Sequence, residues 1–161
     1  MRLGTGDIWL MFGDIYHNRV LELAASIPNV GTLEDADGSA EKVSRVCGST
    51  MRVQLRLDPA GEWITAIALE PKACALGQAS AAVLSQHAVG ARVEDVREAR
   101  DALRAMLKEA ALPPEGRFWE LRHLEAVRDY PQRHASTLLA FDAAIAAIED
   151  ALQVREAGAG A

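Results

Sequence analysis

The sequence is short of the features that would place it in several large classes. It has two cysteines in 161 residues, too few for a disulfide framework. No apolar run approaches the ~20 residues that a membrane span needs. The run Ile8-Trp9-Leu10-Met11-Phe12 is shorter than a signal-peptide core, and no small-residue cleavage site follows it. These absences lead us to expect a cytoplasmic protein without a membrane partner. The net charge is −6, which argues against nucleic acid as a partner, because that role needs a concentrated positive field.

What is present is an ordinary folded domain. Half of the residues are apolar and a quarter are charged. A chain of this length buries roughly 70% of its unfolded surface as one domain. Residues 1–13 are expected to form an N-terminal extension, read as an added packing segment or the product of an upstream start codon. Residues 14–154 form the domain, and residues 155–161 a flexible tail. Asp14 is placed to cap a helix with apolar positions Ile15, Val20, Leu21 and Leu23. Pro28, Asn29 and Gly31 end it in a turn.

Strands come next. Residues 41–46 are extended by pattern. From Thr50 to Asp58 the alternation is strict, with Met51, Val53, Leu55 and Leu57 on one face and Arg52, Gln54 and Arg56 on the other. That is the signature of a half-buried antiparallel strand. Asp58-Pro59-Ala60-Gly61 is a turn, and Trp63 to Leu69 is the return strand. Beyond Ala75 the periodicity becomes helical. One helix runs to Gly90, and Val93, Val96, Leu103, Met106 and Leu107 mark a second. Phe118, Leu121, Leu124 and Val127 predict a short third helix. Leu138, Phe141, Ile145, Ile148 and Leu152 predict a last one starting near Ser136. The fold class is α+β, a small three-stranded antiparallel sheet covered on its apolar face by helices.

Cys47 lies at a strand end within Arg45-Val46-Cys47-Gly48-Ser49. Cys74 lies at a strand-to-helix junction within Lys72-Ala73-Cys74-Ala75-Leu76-Gly77. Antiparallel strands can bring the two to one edge of the sheet. A thiol at a helix start has its pKa lowered by the positive end of the helix dipole. Read in isolation, each residue also has a plain explanation. A free cysteine is often a small buried hydrophobe. Ser136 would cap the last helix, Ser49 would be a polar strand start, and His134 an exposed loop histidine.

These two stretches, followed by Tyr130-Pro131-Gln132-Arg133-His134-Ala135-Ser136-Thr137-Leu138-Leu139-Ala140-Phe141, resemble the U-type iron–sulfur cluster scaffold family of IscU, SufU and the N-terminal domain of NifU. The resemblance covers about Asp14 to Leu152. The family's Asn-Pro-Arg-Asn-x-Gly loop is matched in part by Ser26-Ile27-Pro28-Asn29-Val30-Gly31. The insertion-like stretch Pro113 to Tyr130 resembles the SufU branch. The sequence departs from the family at two ligand positions: Ser136 stands where the family has its third cysteine, and Ser49 where it usually has an aspartate.

The resemblance implies a site at Cys47 and Cys74 that binds iron or an iron–sulfur cluster, or accepts sulfur. It implies a cysteine desulfurase and other iron–sulfur assembly proteins as partners. Thiolates also suit zinc. A serine hydroxyl is a poor donor to soft metals, so His134 becomes the candidate third protein ligand. Three functional readings follow. The first is an assembly scaffold that is not an enzyme. The second is a degenerate scaffold serving as an interaction or regulatory module. The third is a cysteine enzyme with His134 as base, which would need an orienting group and an oxyanion site that the sequence does not display.

Overall fold

The computed structural model describes residues 16–159. The proposed extension at residues 1–13, Asp14 with its capping role, and Ile15 lie outside the described residues. The first helix described, α1, spans Asn18–Ala25 with His17 at its N-cap, and buries Val20 and Leu23.

Three antiparallel strands follow in the order β1-β2-β3. They are β1 (Gly38–Ser44), β2 (Ser49–Leu57) and β3 (Ile64–Lys72). The alternating residues Met51, Val53, Leu55 and Leu57 of β2 are all buried, as the period of two requires. Thr50 pairs with Val43 on one side and with Lys72 on the other. Two strands run differently from the sequence reading. β1 begins and ends earlier, which leaves Cys47 in the turn after it. β3 continues past Leu69 through Pro71, which a strand at the edge of a sheet tolerates because one side needs no donor.

The helices are α2 (Ala75–Ala88), α3 (Val93–Lys108) and α4 (His134–Ala159). α4 packs on β1 and β2, while α2 packs on β3 and against α1. Gly38 permits the close approach of β1 to α4, because a Cβ there would collide with the Ala147 carbonyl and with Ala151. The expected third helix is instead a 3-10 segment, Gly116–Asp129. Its buried residues Phe118, Leu121, Leu124 and Val127 recur every third position. That spacing stacks on one face at three residues per turn and drifts at 3.6.

Arg19, Glu120 and His87 join α1, the 3-10 segment and α2. Arg19 Nη2 donates to Glu120 Oε1 at 2.7 Å, and His87 Nε2 lies 3.6 Å from Glu120 Oε2. At the other end of the sheet Arg155 donates to the carbonyls of Asp58 at 2.6 Å and Leu57 at 3.1 Å. The expected tail is therefore helical through Ala159, and Arg155 fastens it to the β2–β3 turn. Among the described residues no helix is long and apolar enough to cross a membrane.

Candidate functional site

The last cross-strand pair of the β1–β2 hairpin is Ser44 with Ser49. Arg45, Val46, Cys47 and Gly48 form the turn between them. The turn closes with the Gly48 amide donating to the Ser44 carbonyl at 2.8 Å. Gly48 has φ 72°, a left-handed conformation that glycine adopts without steric cost. Cys47 is exposed, while Ser44 and Ser49 are buried beneath it. The Cys47 thiol donates to Ser44 Oγ at 3.4 Å and shares a hydrogen bond with Ser49 Oγ at 3.1 Å. When the thiol loses its proton, both hydroxyls can rotate to donate to the sulfur.

That rotation stabilises the anion. The Ser44 and Ser49 hydroxyls, helped by the Ser49 backbone and the Ser136 hydroxyl and opposed by partial burial, bring the Cys47 pKa down from 9.0 to about 7. A substantial fraction of Cys47 is then thiolate near neutral pH, the nucleophilic and metal-binding form.

Cys74 is the N-cap of α2 and is half-buried. Its sulfur lies 3.1 Å from Ser136 Oγ. Ser136 is fully buried and is the third residue of α4, so it is not the cap that the sequence reading expected. α2 and α4 come close here because residue 77 is glycine. A Cβ on Gly77 would lie 3.0 Å from Ser136 Oγ and 3.1 Å from the Ser136 carbonyl. The Ser136 hydroxyl acts on both cysteines, bonded to one and lowering the pKa of the other. Cys47, Cys74, Ser49 and Ser136 thus share one edge of the sheet, with Cys47 three residues before Thr50 and Cys74 two residues after its partner Lys72.

His134 does not join them. It is buried as the first residue of α4, and its Nε2 faces the carbonyls of Val127 at 3.0 Å and Arg128 at 3.2 Å. Both partners are acceptors, so Nε2 carries the proton and closes the junction between the 3-10 segment and α4. The exposed loop histidine of the sequence reading is a buried joint. The hydrogen bonds found for the Cys47 thiol are to serine hydroxyls, not to an imidazole base. Among the described residues no three His, Cys, Asp or Glu side chains form a metal-holding group. Two thiols do not complete the four-ligand set of zinc or an iron–sulfur cluster, so the donor set of one chain does not fit either.

Ser44 escaped the sequence reading. Its signal was the two serines bracketing the short Arg45-Val46-Cys47-Gly48 turn, one of them on the Met51–Val53 face. The surroundings are also distinctive in charge. Arg45, Lys72 and Arg133 each precede Cys47, Cys74 or Ser136 by two or three residues, and no Asp or Glu lies within three residues of those three positions. These local sequences are cationic on a chain whose net charge is −6.

Residues 15–137 match the model of the NifU-like N-terminal domain. The chain belongs to that family. A nitrogen-fixing NifU-like protein (N-terminal) from Brucella abortus is 45% identical, with a TM-score of 0.85 over 89% of this chain and 98% of that one. A protein from Fervidobacterium islandicum AW-1, described as an iron–sulfur cluster assembly scaffold for the SUF system, has a TM-score of 0.76 over 84% of this chain and 98% of that one. At 21% identity it shares the fold. Iron sulfur cluster assembly protein 1, mitochondrial, from Debaryomyces hansenii is 29% identical over 103 residues, which are 62% of this chain and 56% of that one. The match therefore spans little more than half of that relative. The NifU-like fold, a three-stranded antiparallel sheet with helices laid over it, is the α+β architecture expected from the alternation at Met51–Leu57.

Proposed function

We propose that this NifU-like chain takes part in iron–sulfur cluster assembly by accepting sulfur on Cys47, with Cys74 and Ser136 completing the acceptor site. The observation that carries the reading is the Cys47 thiol, exposed in a tight turn and hydrogen-bonded by buried Ser44 and Ser49. The family membership supplies the context, since its named relatives are assembly proteins.

The donor would be a cysteine desulfurase carrying a persulfide. The Cys47 thiolate attacks the outer sulfur, the donor's S–S bond breaks, a new S–S bond forms on Cys47, and the donor leaves as a thiolate. Nothing is oxidised or reduced overall. In this reading the chain is a carrier or scaffold and not an enzyme. Its cargo is sulfur and, transiently, iron or an iron–sulfur cluster. A cytoplasmic location belongs to the same proposal, as does partnership with further assembly proteins.

A second reading has a specific observation behind it. A chain with two thiols and, among the described residues, no third ligand group beside them could bind the assembly machinery without carrying anything. The deciding experiment incubates the protein with a desulfurase and free cysteine, then maps mass gain by peptide. Sulfur on the Cys47 peptide supports the carrier. No added sulfur on either cysteine, with binding to the desulfurase demonstrated, leaves the interaction module.

A further inference from the structure

The end of the sheet away from the cysteines holds a groove that the sulfur-acceptor reading does not use. Trp63 directly precedes β3 and Cys74 lies two residues beyond it, so the length of the strand puts roughly 30 Å between them. We propose that this groove docks a short segment of a partner protein in which a lysine or arginine stands beside an apolar residue.

The walls are built before any partner arrives. The Gly90 amide donates to the Ile64 carbonyl at 2.9 Å, and the Val93 amide to the Glu62 carbonyl at 2.8 Å. These bonds fix the α2–α3 connection against the start of β3. Arg117 fastens the start of the 3-10 segment to the same connection. Its Nε donates to the His87 carbonyl at 2.7 Å and its Nη2 to the Val89 carbonyl at 2.9 Å. Residue 90 is glycine where a Cβ would lie 2.7 Å from Arg117 Nη2. A preformed groove spares a partner the entropy of ordering it.

The α3 helix supplies one wall. Asp95, Glu98, Ala99 and Ala102 recur at helical spacing on one face, while buried Val96, Leu103, Met106 and Leu107 hold α3 to the core. The two small alanines leave a groove of about 500 Å³ that Trp63, Pro114 and Phe118 also line. Trp63 remains 41% exposed although the Arg92 guanidinium lies 5.0 Å from its ring centroid. An exposed tryptophan beside a concave apolar surface is what a docked segment covers.

Charge selects the occupant. Asp95, Glu98 and Glu115 line the groove with one cation, Arg117, whose donors are committed to the two carbonyls. Asp95 accepts the Arg92 amide at 2.9 Å. Glu98 and Glu115 are exposed and have no ion-pair or hydrogen-bond partner among the described residues. Carboxylates around an apolar surface complement a cation carried beside an apolar side chain. An acidic segment would meet like charge there. A partner docked at this end leaves the exposed Cys47 turn open at the other.

The test titrates the full chain, isotopically labelled, with capped peptides and follows backbone and indole amide signals by NMR. The probe peptide alternates lysine and leucine. One control alternates glutamate and leucine, another lysine and serine. The lysine–leucine peptide alone should give saturable shifts of the Trp63 indole and of the Ala99, Ala102 and Gly116 amides. Reversing both exposed carboxylates, Glu98→Lys with Glu115→Lys, should weaken that binding about tenfold. Ala102→Leu, which fills the groove without changing its charge, should also weaken it. Tm and the Cys47 alkylation rate, unchanged from the parent in both variants, separate a lost groove from a lost fold. Shifts confined to other residues would overturn the proposal, as would equal binding of the lysine–serine peptide or an affinity unmoved in both variants. A dimer of the protein alone that Ala102→Leu dissociates would also overturn it, because the groove would then belong to a second copy of the chain. Sulfur uptake on Cys47, measured on the same samples, decides the carrier reading separately.

Discussion

Ser136 Oγ lies 3.1 Å from Cys74 Sγ, joining positions separated by 62 residues. This contact ties the start of α4 to the start of α2, at the position where the resemblance implies a third cysteine. The Ser136 hydroxyl stays protonated near neutral pH, hydrogen-bonds the neighbouring sulfur, and adds a last small contribution to lowering the Cys47 pKa.

The Cys47 pKa of about 7 sets the first prediction. Alkylation of Cys47 should rise through that pH and level off above it, as the thiolate fraction saturates. Ser44→Ala and Ser49→Ala each remove a donor to the anion, so each should move the midpoint upward. Ser136→Ala should move it less, because its hydroxyl is the weakest of the contributors. Alkylation rate against pH, read by peptide mass, checks all three. A midpoint unmoved in both Ser44→Ala and Ser49→Ala would detach the turn from the reactivity.

A second prediction tests the close approach of β1 to α4. A methyl group at Gly38 would meet the Ala147 carbonyl and sit 2.8 Å from both the Ala151 Cβ and amide. Two of these three atoms are backbone and cannot swing aside. Gly38→Ala should therefore cost ~1–3 kcal/mol or more, as overpacking does. Denaturant unfolding would show it as a lower midpoint with an unchanged slope.

Much of this was legible in the sequence, and the failures have physical causes. The alternation from Met51 to Leu57 stated β2 and its buried face outright, because burial on one side of a sheet imposes a period of two. The residues Phe118, Leu121, Leu124 and Val127 announced a short helix with a buried stripe, and their spacing of three was the signal that it is a 3-10 segment. Cys47 and Cys74 could be placed at one sheet edge from the hairpin order alone. The serines were harder. Whether Ser136 caps a helix or contacts a sulfur depends on where α4 begins, and helix starts are blurred by a residue or two. His134 was misplaced because its partners are the carbonyls of Val127 and Arg128, which no side-chain pattern reveals.

The Arg19–Glu120–His87 group gives a pH prediction. Burial pushes the Glu120 carboxyl up, but the hydrogen bond and charge of Arg19, with His87 beyond, outweigh it and hold the group below the usual glutamate value. A depressed pKa in the folded state means stability that is present above the unfolded glutamate pKa. That stability is lost as pH falls through the lower, folded one. Glu120→Gln should lower Tm at neutral pH and flatten its decline as pH falls from neutrality through the glutamate range. Thermal unfolding across that range checks it, and an acid limb as steep in the variant as in the parent would show that the carboxylate is not responsible.

The final prediction restores the donors that this chain lacks. Ser136 is fully buried against Cys74, and Ser49 sits 3.1 Å from the Cys47 sulfur, so both positions already point at the site. Ser136→Cys replaces one small side chain with another of similar size and adds a thiolate, the donor that iron–sulfur clusters favour. Ser49→Asp adds a carboxylate beside Cys47. Together they give one chain four ligands, and the double variant should hold iron or a cluster as a monomer where the parent does not. The aspartate has an opposing effect: as an anion beside Cys47, and without the serine donor, it should raise the Cys47 pKa. Metal-free double variant should therefore alkylate more slowly at neutral pH even as its iron content after anaerobic reconstitution rises. Iron and sulfide per chain, with mass by sedimentation, decide the matter. If the double variant retains no more metal than the parent, the two serines are not what limits binding, and the site is built for sulfur or for a partner.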